Sequence, residues 1–161
     1  MGLDQYLHRK VYVGNQYKKP ENQIKIIVPE GNNTEMFPVG EIDSSKISEI
    51  TLSVGYWRKA NAIHRWYVEN VQDGEDDCGE YYVSKEQLKE LHDLCLKAKD
   101  VYENGNKEDL KDLLPSQSGF FFGSTAYDEW YLEDLKTTIS ILEPIIKLEK
   151  DNGDYYYTSS W

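Results

Sequence analysis

From Tyr127 to Ile146 the chain repeats large apolar side chains at helical spacing: Tyr127, Trp130 and Tyr131, Leu135, Ile139, Leu142, Ile145 and Ile146. A stripe of that length marks an amphipathic helix whose apolar face must be buried against another layer. A second stripe, Leu88, Leu91, Cys95, Ala98 and Tyr102, follows Ser84-Lys-Glu-Gln87, the reciprocal capping pattern that opens a helix. Helices are therefore expected over about Trp57–Val71, from Ser84 onward, over Lys107–Leu114 ahead of Pro115, and over about Ala126–Leu148. Pro144 should kink the last one or end it early. Cys95 lies on the buried stripe and reads as a core thiol; His92 borders it and reads as structural.

The earlier part of the chain has strand signals. In Leu3–Val13, Leu3, Leu7, Val11 and Val13 fall on one face, and Tyr6, His8, Lys10 and Tyr12 on the other. Ile24–Val28 is a short apolar run ended by Pro29, and Ile47–Val54 alternates apolar and polar residues. Between them Pro29–Ser45 is rich in Gly, Asn and Ser and reads as a long loop, a flap or partner surface or else plain linker. Tyr155–Tyr157 reads as a terminal strand that pairs with the first one. Strands early and helices late give the α+β class. The expected fold is a small antiparallel sheet of N-terminal strands, joined by the C-terminal strand and packed against three to four helices, in a single domain over residues 1–161. No internal repeat is present.

Charge and composition narrow the function. The formal net charge is -11. Residues 1–70 hold nine Lys/Arg against eight Asp/Glu, whereas residues 71–161 hold nine against 21. The acidic half would repel a nucleic-acid backbone, which argues against duplex binding. Two cysteines make neither a disulfide framework nor a zinc site. With no long apolar run and no leader-type segment, the chain reads as cytoplasmic and membrane-free. The N-terminal Gly2 has Tyr6 where a myristoylation motif needs Ser or Thr.

The candidate site lies in Gly55-Tyr-Trp-Arg-Lys-Ala-Asn-Ala-Ile-His-Arg-Trp66. Read as a helix start, it places Arg58, Asn61 and Arg65 on one face. Cations are disfavoured at a positively polarised helix N-terminus, so their presence there, with Trp57, Lys59, His64 and Trp66, suggests a site for something anionic and flat. A second segment, Gln117-Ser-Gly-Phe-Phe-Phe-Gly-Ser-Thr125, precedes the last helix. Its Ser118, Gly119, Gly123 and Ser124, with Tyr127, could offer backbone amides to a phosphate or carboxylate; a buried Phe strand followed by an ordinary helix cap is the plainer reading. It is not a P-loop, since no Lys precedes Ser124. Asp73, Glu75 and Asp77 have the opening spacing of an EF-hand loop, but Cys78 and Ser84 stand where its Gly and bidentate Glu belong. A solvated acidic turn, or a salt bridge to Arg58 or Arg65, fits better, and no metal or cofactor is expected. His64 as a base would need a carboxylate such as Asp77 or Asp128 beside it; otherwise it is a packed histidine. No motif marks a nucleophile or catalytic residue.

Met1–Leu7, Gly55–His64, Gln72–Tyr82, Ser118–Ser124 and Tyr155–Trp161 together resemble a family of small proteins carried by bacteriophages and prophages. The resemblance brings no activity and no residue roles. It implies a viral, anti-defence context. Three readings follow: a sponge that binds a small phosphorylated, nucleotide-like ligand to blunt host defence signalling; an acidic inhibitor of a host defence or nucleic-acid-binding protein; and a small nucleotide hydrolase. In the first, Trp57 or Trp66 would stack a base while Arg58, Lys59 and Arg65 neutralise phosphate. Exposed aromatics would favour a homo-oligomer.

Overall fold

The computed structural model describes residues 2–27 and 43–161. It divides into two compact units, residues 10–51 and residues 1–9 with 52–161. The strands β1 (Asp4–Tyr12) and β2 (Glu49–Arg58) run through both. In the smaller unit Asn15 is buried and acts as a staple. Its amide donates to Ile24 O (2.6 Å) and Ser44 O (2.7 Å), and its carbonyl accepts from the Ile24 amide (3.0 Å). Of the run expected to form a strand at Ile24–Val28, residues 24–27 are irregular and exposed, and Val28 lies outside the described residues. The Pro29–Ser45 loop also lies outside them, apart from its last three residues, which enter a short turn at Ser44–Lys46 held by Asp43.

The larger unit is α+β. A four-stranded antiparallel sheet has the order β2-β1-β4-β3, with β3 at Glu80–Val83 and β4 at Gly153–Ser160. The C-terminal strand thus joins the N-terminal one, as its alternation indicated. β3 was hidden in the sequence, because four residues beside an acidic turn give too short an alternation to detect. Its register is fixed against β4, with Tyr82 opposite Tyr156 and Val83 opposite Tyr155.

The helices pack on one face. They are α1 (Asn61–Asn70), α2 (Lys85–Asn104), the single turn α3 (Leu110–Leu113) and α4 (Glu129–Ile146). The Ser84/Gln87 capping box forms as its pattern requires. α4 is capped by Asp128, whose carboxylate accepts from the amides of Trp130 and Tyr131, rather than by Ser124 or Thr125. Pro144 sits in its last turn, and the helix ends two residues later. The core joins Leu7, Trp57, Val83, Tyr155 and Tyr157 of the sheet to Ile63 and Tyr67, to the α2 stripe with Cys95, and to Leu135, Leu142 and Ile145. Tyr67 stacks on Tyr157 at 3.8 Å and 8°, which seats α1 on β4. At the sheet's far end Arg9 grips Asp151 at 2.6 Å.

One carboxyl is half-buried at odds with its charge. Burial, then the neighbouring charges of Asp128 and Glu133, push Asp134 up to about 7. A raised folded-state value means that ionisation opposes folding. Its penalty is absent below about pH 4, grows as the unfolded state ionises first, and levels off above about pH 7. Asp134→Asn is therefore expected to stabilise the protein by about 2–4 kcal/mol at pH 8 and by little at pH 4. Denaturant melts at the two pH values test this, and an equal effect at both would refute it.

Candidate functional site

β2 ends at Arg58 and α1 begins at Asn61, so the chain must reverse within two residues. It does so through Lys59 at φ 60°, a left-handed conformation that a residue with a Cβ adopts at a cost. β1 and the residue before it hold both sides of this step: Lys59 N donates to Leu3 O (2.7 Å) and Gln5 Nε2 donates to Ala60 O (3.2 Å). The helix expected from Trp57 thus starts four residues later, because β2 continues to pair through Arg58. Arg58, Asn61 and Arg65 consequently do not share a helical face. Trp57 points into the core, where its Nε1 donates to Thr138 Oγ1 (2.9 Å). Arg58 alternates to the opposite side and is exposed.

The second sequence segment does meet the first. Asn61, buried at the start of α1, donates to Phe122 O (3.1 Å) and Ser124 O (2.7 Å) and accepts from the Gln117 amide (3.2 Å). Its amide is engaged at both ends in holding the 117–124 loop and is not offered to a ligand. Gly119 carries the Phe122 ring so closely that an added Cβ would lie 2.6 Å from it. Gly123 has φ 86°, and a Cβ there would lie 3.3 Å from Lys59 Cβ. The loop therefore closes directly onto the strained lysine. Among the described residues the Gly123 amide has no hydrogen-bond partner. Ser118 and Ser124 are exposed, and Ser124 Oγ accepts from the Ala126 amide (3.1 Å). Tyr127 is half-buried; its hydroxyl accepts from the Ser116 amide (3.3 Å).

Beneath this step runs a buried polar chain. His64 is 0% exposed; its Nδ1 lies 2.8 Å from Tyr157 Oη and its Nε2 lies 3.0 Å from Asp76 Oδ2. Gln5 donates to Ala60 O, so its own carbonyl oxygen is left to accept the Tyr157 hydroxyl at 3.1 Å. The tyrosine oxygen then accepts from Nδ1, and Nε2 faces the Asp76 carboxylate. Trp161 Nε1 donates to the other Asp76 oxygen (3.0 Å), and the Phe122 ring stands edge-on to His64 at 5.1 Å. The histidine's carboxylate partner is thus Asp76, not Asp77 or Asp128. Asp77 instead accepts from Gly79 N and the Tyr81 hydroxyl, which lower its pKa, and Asp128 caps α4. Gln5, Asp76 and Tyr157 were not singled out from the sequence. They lie 59, 12 and 93 positions from His64, beyond any local spacing rule.

Arg65 and Trp66 face elsewhere. With Glu69, Asp112, Leu94 and Pro115 they line a cavity of about 280 Å³. Arg65 Nε is taken by Glu69 (2.7 Å) and its Nη1 reaches Ser116 O (3.4 Å). Two carboxylates to one guanidinium make this cavity a poor host for an anion. Trp66 is buried, like Trp57, so neither indole presents a stacking face. The acidic turn makes no bond to Arg58 or Arg65, and no group of three or more His, Cys, Asp or Glu gathers for a metal among the described residues.

The exposed groups that remain at the step are Arg58, Lys59, Gly123 and Ser124, and the polar chain beneath holds their backbone. His64→Phe fills the space but leaves Asp76 and Tyr157 without their partner. It is expected to destabilise the protein by about 2–3 kcal/mol in urea unfolding; a change under about 0.5 kcal/mol would show that the chain does not hold the step. Neither a family model, nor a curated protein, nor a solved structure matches this chain.

Proposed function

We propose that this chain binds and sequesters a small phosphorylated, nucleotide-like ligand at the Arg58–Lys59 step, and that in a bacteriophage setting this blunts host defence signalling. One observation carries the reading: Arg58 and Lys59, adjacent and exposed, make no side-chain hydrogen bond or ion pair among the described residues. On the helices several cations are instead taken up by carboxylates. Lys89 pairs with Asp93, Lys99 with Glu103, Lys136 with Glu133 and Lys147 with Glu143. Two cations without carboxylates, next to the unbonded Gly123 amide, form an anion seat in which the guanidinium can take a phosphate in a two-pronged bond. The backbone strain at Lys59 agrees with a functional rather than a structural lysine, because glycine would suit that turn better.

Binding without turnover fits the remaining chemistry. His64 has no exposed surface and both ring nitrogens are occupied, so it cannot reach a ligand on the surface. Phe120 is 95% exposed and Trp130 77%, which favours contact with a further copy or a host protein.

Native mass spectrometry with a panel of cyclic and ADP-ribose-derived nucleotides tests this. A discrete adduct released with unaltered mass is expected, and the same spectrum gives the subunit count. Arg58→Ala should weaken the adduct about tenfold or more. Lys59→Gly should also weaken it while leaving stability unchanged or raising it by up to about 1 kcal/mol. A released mass that has changed, or wild-type binding by Arg58→Ala, would overturn the reading.

A further inference from the structure

The sheet has a second face. Side chains alternate along a strand, and Leu7, Trp57, Val83, Tyr155 and Tyr157 are buried in the core with the helices. Their neighbours Tyr6, Tyr56, Tyr82 and Tyr156 therefore emerge on the opposite side, one from each of the four strands. Tyr56 is 46% exposed and Tyr82 56%. Across the sheet the Tyr6 and Tyr56 rings lie 5.3 Å apart at 43°, and Tyr82 and Tyr156 lie 5.9 Å apart at 74°. His8 extends the first pair, 6.0 Å from Tyr6 at 23°.

Cross-strand contact stabilises such pairs by itself. It does not explain what stands next to the first of them. Arg58 lies two residues after Tyr56 on the same strand, hence on the same face. The Tyr56 hydroxyl donates to Asp4 Oδ1 at 2.6 Å, which fixes the ring and engages the nearby carboxylate. That bond also raises the Tyr56 pKa, keeping the hydroxyl a neutral donor. A pinned aromatic ring thus adjoins a guanidinium that has no bonded partner among the described residues.

Resting on the reading that Arg58 and Lys59 hold a phosphate, we propose that the Tyr6–Tyr56 pair is the stacking surface for the ligand's base. The ligand is then a small nucleotide, a base carrying one or two phosphates, and not a nucleic-acid strand. A strand crossing the sheet would need cations along its track. Here the exposed residues on the same face of β3 and β4 include Glu80 and Asp154, and Arg58 and Lys59 lie together at the end of β2. The indoles of Trp57 and Trp66, the stacking groups suggested by the sequence, are buried; the tyrosines take that part.

The test compares adenosine 5′-monophosphate with ribose 5-phosphate, which keeps the phosphate and lacks the base, by proton NMR titration. The nucleotide is expected to bind about tenfold more tightly, and its adenine H2 and H8 signals should move upfield in the ring current of the tyrosines. Tyr56→Ala should abolish the difference in affinity between the two compounds. Tyr56→Phe, which keeps the ring, should retain the difference. Arg58→Ala should weaken both compounds. Equal binding of the two by the wild type, or a ratio that Tyr56→Ala leaves intact, overturns the stacking surface while the anion seat stands. Binding of neither compound overturns both. Tighter binding of an eight-residue oligothymidylate than of any mononucleotide overturns the small-ligand assignment.

Discussion

The contact between the buried His64 and the half-buried Asp76 governs how the elements of the larger unit meet. Polar groups taken out of water are tolerated only when their partners are in place. Gln5 of β1, Tyr157 of β4, His64 of α1 and Asp76 of the acidic turn satisfy one another in sequence. Each hydrogen bond admits one register of the element that supplies it. Slipping β4 by one residue would turn Tyr157 to the open face, leave the imidazole without its hydroxyl and break the 3.8 Å stack on Tyr67. A wholly apolar interior could slide; this one cannot without stranding a polar atom.

That constraint reaches the surface through two residues. Gln5 fixes Ala60 and Asn61 fixes the 117–124 loop, so the reversal between β2 and α1 is gripped from both sides. A turn gripped in this way keeps the lysine at φ 60°. The exposed end of the site is therefore held by groups that are themselves out of a ligand's reach. Asn61 and His64, which the sequence offered as ligand contacts, position the backbone that carries Arg58 and Lys59.

Periodicity made the long elements legible. The stripes of α2 and α4, the capping box at Ser84 and the alternation of β1, β2 and β4 all follow from local spacing, and with them the α+β class. What failed was the junction. Gly55–Trp66 holds residues compatible with either period, and its helical reading joined the end of β2 to α1. Trp57 and Arg58 were placed on a helix when pairing with β1 carries the strand through them. The error reversed their roles, since on a strand the tryptophan turns inward and the arginine outward. β3 was too short to register, and the Asp76–His64–Tyr157 chain joins residues far apart in sequence. The structure joins the Arg58 segment to the glycine loop through the side chain of Asn61, a contact across more than 50 residues that no local spacing shows.

The distribution of partners separates the three functional readings. An acidic decoy needs carboxylates free to face a basic partner, yet Asp93, Glu103, Glu133 and Glu143 on α2 and α4 are each bound to a lysine one helical turn away. Pairs of this kind are weak, worth about 0.3–0.5 kcal/mol each, but they lower the density of unbalanced charge on those faces. A hydrolase needs a titratable group that meets its substrate, and His64 is enclosed with both nitrogens engaged. At the Arg58–Lys59 step the groups left without a bond among the described residues are a guanidinium, an ammonium and a backbone amide, with phenol rings beside them. Those are groups that hold an anion and a planar ring and offer no general base or nucleophile. The chemistry left at this step is that of recognition, and it is this that supports the proposed sequestration.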